Sequence, residues 1–63
     1  MPDEPLLTTA QLARELQVSR RTIARYAEQG ILVPALTLPS GHHRWRLSEV
    51  QQRLRELRRR DAE

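Results

Sequence analysis

The side chains of this 63-residue chain best equipped for chemistry are its arginines. There are eleven, with no lysine and no cysteine. Arg20, Arg21 and Arg25 fall close together, and Arg44 and Arg46 alternate with other residues further on. A guanidinium is permanently charged and presents a planar fork of donors, which suits phosphate oxygens and the O6/N7 edge of guanine. His42-His43 invites a metal reading, but neighbours on a strand point to opposite faces and no cysteine or nearby carboxylate completes a site. Ser/His and Asp/His pairings lack a buried acid, and so small a domain has little room for a pocket. The chemistry on offer is recognition; no enzymatic activity, metal or cofactor is expected.

These residues need elements to hold them. Thr8-Thr9-Ala10-Gln11 fits a capping box with Thr8 as N-cap, and Leu7 with Leu12 forms a hydrophobic staple. The first helix is expected to run to about Gln17, with Leu12, Ala13 and Leu16 as its apolar stripe. After a short break at Val18-Ser19, Ser19 is a suitable N-cap for a second helix, and Gly30 sits where a C′ glycine belongs. In that helix Ile23, Ala27 and part of Tyr26 face inward, while Arg20, Arg21, Ala24, Arg25 and Glu28 face outward. Ile31-Leu32-Val33 and Leu36-Thr37-Leu38 are β-type runs split by Pro34. Pro39-Ser40-Gly41 is a turn, and His43, Trp45 and Leu47 alternate with His42, Arg44 and Arg46 as a half-buried strand. The result is a small β-hairpin with an arginine face. Ser48-Glu49-Val50-Gln51 reads as a second capping box, opening a third helix with Leu47, Val50, Leu54 and Leu57 as its apolar positions. The expected core is Leu12, Leu16, Ile23, Trp45, Val50 and Leu54, with the lone tryptophan as its anchor.

Composition sets the bounds. A hydrophobic share of 38% and a charged share of 30% fit one soluble module, and no apolar run is long enough for a membrane span. A flexible tail is expected over residues 1–6, the domain over 7–60 and a C-terminal end at 61–63. The net charge of +3 is unevenly spread: residues 1–16 carry −2, residues 17–47 carry +4 and residues 48–63 carry +1. A concentration of positive charge in the middle of the chain is the footprint of a polyanion partner. The acidic, proline-broken start is unlike a signal peptide, so a cytoplasmic location is expected.

Two short helices joined by a tight turn, the second of them basic, spell a helix-turn-helix. The fold expected is mainly α with a small β-hairpin: a winged helix-turn-helix of three helices plus a wing. Ser19, Arg20, Arg21, Thr22, Arg25 and Tyr26 are the candidate DNA contacts of the recognition helix. His42, His43, Arg44 and Arg46 are those of the wing, where arginines meet phosphates or a narrow minor groove.

Those same residues carry a family resemblance. Leu6 to Ala13, Val18 to Tyr26, Gly30 to Pro34, the wing sequence Gly41-His42-His43-Arg44-Trp45-Arg46 and Ser48-Glu49-Val50 together resemble the winged helix of the MerR superfamily. The likeness runs from about Leu6 to Leu57, and its most specific piece is the glycine-histidine-arginine-aromatic-arginine wing. It implies that the second helix is the recognition helix and the hairpin the wing. Ala24-Arg25-Tyr26 departs from the arginine followed by two aromatics common in full-length regulators, and is closer to the short branch of phage excisionases and BldC-type regulators. The long dimerisation helix and effector domain of full-length members have no counterpart before Glu63, so neither their antiparallel dimer nor a small-molecule effector carries over.

The short branch implies double-stranded DNA as partner, with head-to-tail self-association on direct repeats. Within it the expectation is an excisionase, a recombination directionality factor that bends attachment-site DNA so that a partner integrase excises, in a bacterial host and associated with its nucleoid. A stand-alone transcription regulator is the alternative reading, and a small protein-interaction module using the third helix or the 31–38 segment is the third.

Overall fold

The computed structural model of the chain describes residues 4–61. In chain order they form β1 (Leu7–Thr8), α1 (Thr9–Leu16), α2 (Arg20–Glu28), β2 (Leu36–Thr37), β3 (His43–Trp45) and α3 (Leu47–Asp61). This is the three-helix, one-hairpin plan expected of a winged helix-turn-helix. The sheet is antiparallel in the order β1-β3-β2. β3 pairs with β2 through Leu36↔Arg44 and Thr37↔His43, and with β1 through Leu7↔Trp45 and Thr8↔Arg44.

The first two helices begin as the capping residues dictate. Thr8 Oγ1 accepts from the Gln11 amide (3.1 Å) and Gln11 Oε1 accepts from the Thr8 amide (2.9 Å), the reciprocal pair of a capping box. Ser19 Oγ accepts from the Thr22 amide at 3.1 Å. α2 ends in a Schellman motif: the Gly30 amide donates to Ala27 O (3.1 Å) and the Ile31 amide to Tyr26 O (2.9 Å), with Gly30 at φ 73°. α1 ends the same way without a glycine. Gln17 adopts φ 59°, its amide donates to Arg14 O (3.2 Å) and the Val18 amide donates to Ala13 O (2.9 Å). A side chain in the left-handed region costs about 1–2 kcal/mol relative to the right-handed one. The tight turn between α1 and α2 is therefore held against a local preference.

Buried Leu12, Ala13, Ile23, Leu32, Trp45 and Val50 form the core. Leu7, Leu16, Tyr26, Ala27, Ile31, Leu47 and Leu54 pack around it half-buried, so Leu16 and Leu54 lie at its edge, not at its centre. Trp45 is the anchor, fully buried, with its indole N–H donating to Thr9 Oγ1 at 3.0 Å. That bond ties the wing strand to the first turn of α1 and satisfies the one polar atom of the ring.

Four expectations need correction. Residues 31–33 form no strand. Leu32 is inserted into the core at 1% exposure while Val33 stands out at 77%, in a loop following the helix cap. Leu7–Thr8 adds a third strand where none was expected, because Leu7 lies beside Trp45 and continues the inward face of β3. β3 stops at Trp45, so Leu47 opens α3 instead of continuing the strand. Finally, Ser48 is not the N-cap of α3. The Arg46 carbonyl accepts from the Val50 amide (3.1 Å), which puts the cap at Arg46 and Ser48 inside the first turn. The service a capping side chain would perform comes instead from Glu4, whose carboxylate accepts from the Ser48 amide (2.9 Å) and from Ser48 Oγ (2.6 Å). Of the tail expected over residues 1–6, residues 1–3 lie outside the described range, and Glu4 makes the contacts just given.

Candidate nucleic-acid interface

α2 is short and amphipathic. Ile23 is buried, Tyr26 and Ala27 pack against the core, and Arg20, Arg21, Ala24, Arg25 and Glu28 are exposed. Among the described residues the ion pairs are Arg46–Glu49 and Arg53–Glu56, so the three arginines of α2 form none. Three guanidinium groups on nine residues repel one another, and none forms an ion pair among the described residues. At the helix start, Ser19 Oγ and Thr22 Oγ1 share a hydrogen bond of 2.9 Å. Each hydroxyl retains capacity toward a phosphate, at the end of the helix where backbone amides and the dipole favour an anion. Of the residues assigned to this helix, Ser19, Arg20, Arg21 and Arg25 are exposed and Thr22 is half-buried beside Ser19. Tyr26 is turned toward the core, and its carbonyl closes the helix cap.

The wing follows from a three-residue hairpin loop. The Leu38 amide donates to His42 O (2.8 Å), the Gly41 amide donates to Leu38 O (2.8 Å) and Gly41 adopts φ 92°, so Pro39, Ser40 and Gly41 make the turn. Pro39 supplies the φ the second turn position needs, and Gly41 the positive φ that returns the chain to the strand. Strand alternation then sorts the side chains. His43 lies on the inward face, edge-on to Trp45 with ring centroids 5.8 Å apart and Nδ1 3.0 Å from Thr37 Oγ1. Arg44 lies on the opposite face, half-buried, with Nη1 donating to the His43 carbonyl at 3.0 Å. His42 is exposed next to the turn, its Nδ1 3.1 Å from Ser40 Oγ.

Arg46 lies beyond the strand end, exposed, with Nη1 3.5 Å from Glu49 Oε2. The wing residues expected to act together are thus divided. Arg44 and His42 are presented by the hairpin, His43 braces it, and Arg46 sits at the start of α3 beside a carboxylate. Between α2 and the wing lies a recess of about 290 Å³ whose walls include Ala24, Ala27, Glu28, Pro34, His43 and Trp45.

Two features of this region were missed by sequence reasoning. Ala24 and Glu28 were placed outward on α2 but given no role, although both border the recess. Arg53 entered the sequence reading only through the net charge of residues 48–63. Its Nε donates to the Ile31 carbonyl at 3.0 Å, fastening α3 to the loop that follows α2. Such a contact spans 22 residues and leaves no local signal in the sequence.

Among the described residues no group of three or more histidines, cysteines, aspartates and glutamates is placed to hold a metal ion. No helix among them is long and apolar enough to cross a membrane. No curated protein and no solved structure matches the chain. A family model described as a helix-turn-helix domain does match, over residues 6–58. That span takes in α1, the turn, α2, the wing and nearly all the described length of α3, and the chain belongs to this helix-turn-helix domain family.

Proposed function

We propose that the chain is a sequence-specific binder of double-stranded DNA and that it serves as an excisionase. The observation that carries DNA binding is the outward face of α2, where Arg20, Arg21 and Arg25 are exposed and without an ionic partner among the described residues. Membership of a helix-turn-helix family supports the same reading. In this reading α2 enters the major groove, Arg20, Arg21 and Arg25 reach base edges, and Ser19 with Thr22 meets phosphate at the helix start. The hairpin lies against the flanking backbone or a narrow minor groove through Arg44, with His42 beside it and Arg46 near the root. Recognition needs no cofactor and no catalytic group.

The excisionase role rests on the resemblance to the short MerR-like branch and on the charge pattern, acidic in the first third and basic in the middle. Unlike patches favour a heterologous contact, which propagates along DNA when its rotation does not close. Protomers then load head to tail onto direct repeats, each adding a small bend, and the curved DNA directs an integrase toward excision. A mobility-shift titration on a multi-repeat site tests this. Successive bands, with tighter binding than to one repeat, are expected, together with a monomer in sedimentation. A stable free dimer and a palindromic footprint would instead return the stand-alone transcription regulator to first place.

A further inference from the structure

The outward face of α2 contains two residues that an all-arginine reading leaves idle, Ala24 and Glu28, and Ala24 is the apolar one. At about 100° per residue around an α-helix, Arg20 lies about 40° to one side of Ala24. Glu28, Arg21 and Arg25 lie about 40°, 60° and 100° to the other side. Ala24, with Glu28 and Arg21, therefore occupies the middle of the exposed arc, where a helix seated in the major groove comes nearest to the bases, and Arg20 and Arg25 lie at its two rims, Arg25 beside the half-buried Thr22. A methyl group at this position lets the helix approach closely and offers no polar atom to a base edge. On the wing side of Ala24 the surface continues into the recess formed by Ala27, Pro34 and Trp45.

The major-groove edges of the four bases carry one apolar group, the C5-methyl of thymine. We propose, building on the DNA-binding reading above, that Ala24 is a specificity-determining residue that meets a thymine methyl next to the base read by Arg21. The alanine covers the methyl from one side and the recess between α2 and the wing shelters it on the other, so water is removed from an apolar contact flanked by charged ones. A larger side chain at this position would lift α2 from the groove, and a polar one would leave the methyl against a hydrated group.

The experiment uses the intact chain. A binding site is first selected from random duplexes, and each thymine in it is then replaced in turn by deoxyuridine, which lacks only the methyl. Affinity is expected to fall about fourfold at one thymine, the worth of one methyl removed from water. Ala24→Gly should bind the thymine duplex about as weakly and should no longer distinguish thymine from uracil there. Ala24→Ser, which preserves the helix better, should show a reduced difference at the same position, and circular dichroism of both variants confirms folding. The proposal is overturned if no thymine shows the loss, or if the difference persists undiminished in the serine variant. If the wild-type chain selects no sequence at all, the DNA-binding reading itself fails and this proposal falls with it.

Discussion

α2 and α3 are both rich in arginine, and they hold that charge differently. In α2, Arg20, Arg21 and Arg25 have no acidic partner among the described residues. At the start of α3, Arg46 stands 3.5 Å from Glu49, and one turn further in Arg53 bonds the Ile31 carbonyl and lies 3.9 Å from Glu56. Within α3, Arg53 is paired and serves the fold, while Arg55 and Arg58 are exposed and enter no ion pair among the described residues. Arginine content alone therefore does not identify a nucleic-acid surface. What separates Arg20, Arg21 and Arg25 from Arg46 and Arg53 is whether the guanidinium group has a counter-charge among the described residues.

Both helices depend on the same small core, so the largest expected effect strikes them together. Ile23 is fully buried on the inner side of α2. Ile23→Ala should cost about 2–5 kcal/mol, a large part of the total stability of so small a domain. Thermal denaturation should show the chain largely unfolded near body temperature. Leu54→Ala, at the half-buried edge of the core on α3, should cost less. An equal loss at both positions would mean that Leu54 belongs to the centre of the core with Val50.

The contrast itself is tested by exchanging readouts. Losing a base-reading arginine should weaken specific binding by about 1–3 kcal/mol and relax one base position, with no loss of melting temperature. Arg21, nearer the centre of the outward arc than Arg20 or Arg25, should show the sharper base preference. Arg53→Ala should do the reverse. It removes a hydrogen bond to a backbone carbonyl, lowering stability by about 1 kcal/mol, while the folded fraction binds DNA as before. If Arg53→Ala instead reduced DNA affinity with unchanged stability, the distinction between the two helices would collapse.

The start of α2 and the start of α3 also differ in how far their sequence could be read. Thr8 with Gln11, Ser19, Gly30 and the buried Trp45 were legible because each acts within a few residues of itself or follows from size and hydrophobicity. The three helices, the hairpin and the outward arginines followed. What stayed hidden was carried by distant partners. Ser48 looks like a cap because a serine followed by Glu49, Val50 and Gln51 has the local pattern, but Glu4, 44 residues away, occupies its donors. The pairing of Leu7 with Trp45 and the bond from Arg53 to Ile31 are of the same kind. The run Ile31-Leu32-Val33 has strand composition, yet the helix cap at Gly30 and the insertion of Leu32 into the core set its path. At the candidate interface, residue identity was readable from sequence. The division of Arg44 from Arg46 was not, because it depends on where β3 ends.

A smaller effect separates the two helix ends that frame the recognition helix. Gly30 takes its positive φ without penalty, and Gln17 takes φ 59° with a side chain. Gln17→Gly should therefore raise stability by up to about 1 kcal/mol, less whatever the more flexible unfolded chain takes back. Because Gln17 is exposed and lies before α2, DNA affinity should be unaffected. A loss of stability would show that the left-handed turn is favoured by a contact of the glutamine side chain that outweighs its backbone strain.

The smallest expected effect concerns the anchor of α3. The Ser48 hydroxyl and amide bonds, helped by nearby Arg46, hold the Glu4 carboxyl below its ordinary value of 4.5. A carboxyl whose pKa is lower in the folded than in the unfolded chain adds stability above the unfolded value. That stability is lost as pH falls through the folded one. The contact lies at the surface, so water and salt screen it and the gain is slight. Glu4→Gln should accordingly melt slightly below the wild type at neutral pH, and the two curves should converge as pH drops below 4.5. Ser48→Ala should remove the same pH-dependent increment, since it deletes the hydroxyl donor, whereas an equivalent change on α2 has no counterpart because Ser19 caps that helix with its own oxygen. A difference between wild type and Glu4→Gln that stays constant from neutral to acid pH would show that Glu4 acts through packing and not through its charge, and the two helix starts would then differ only in the length of chain that separates cap from helix.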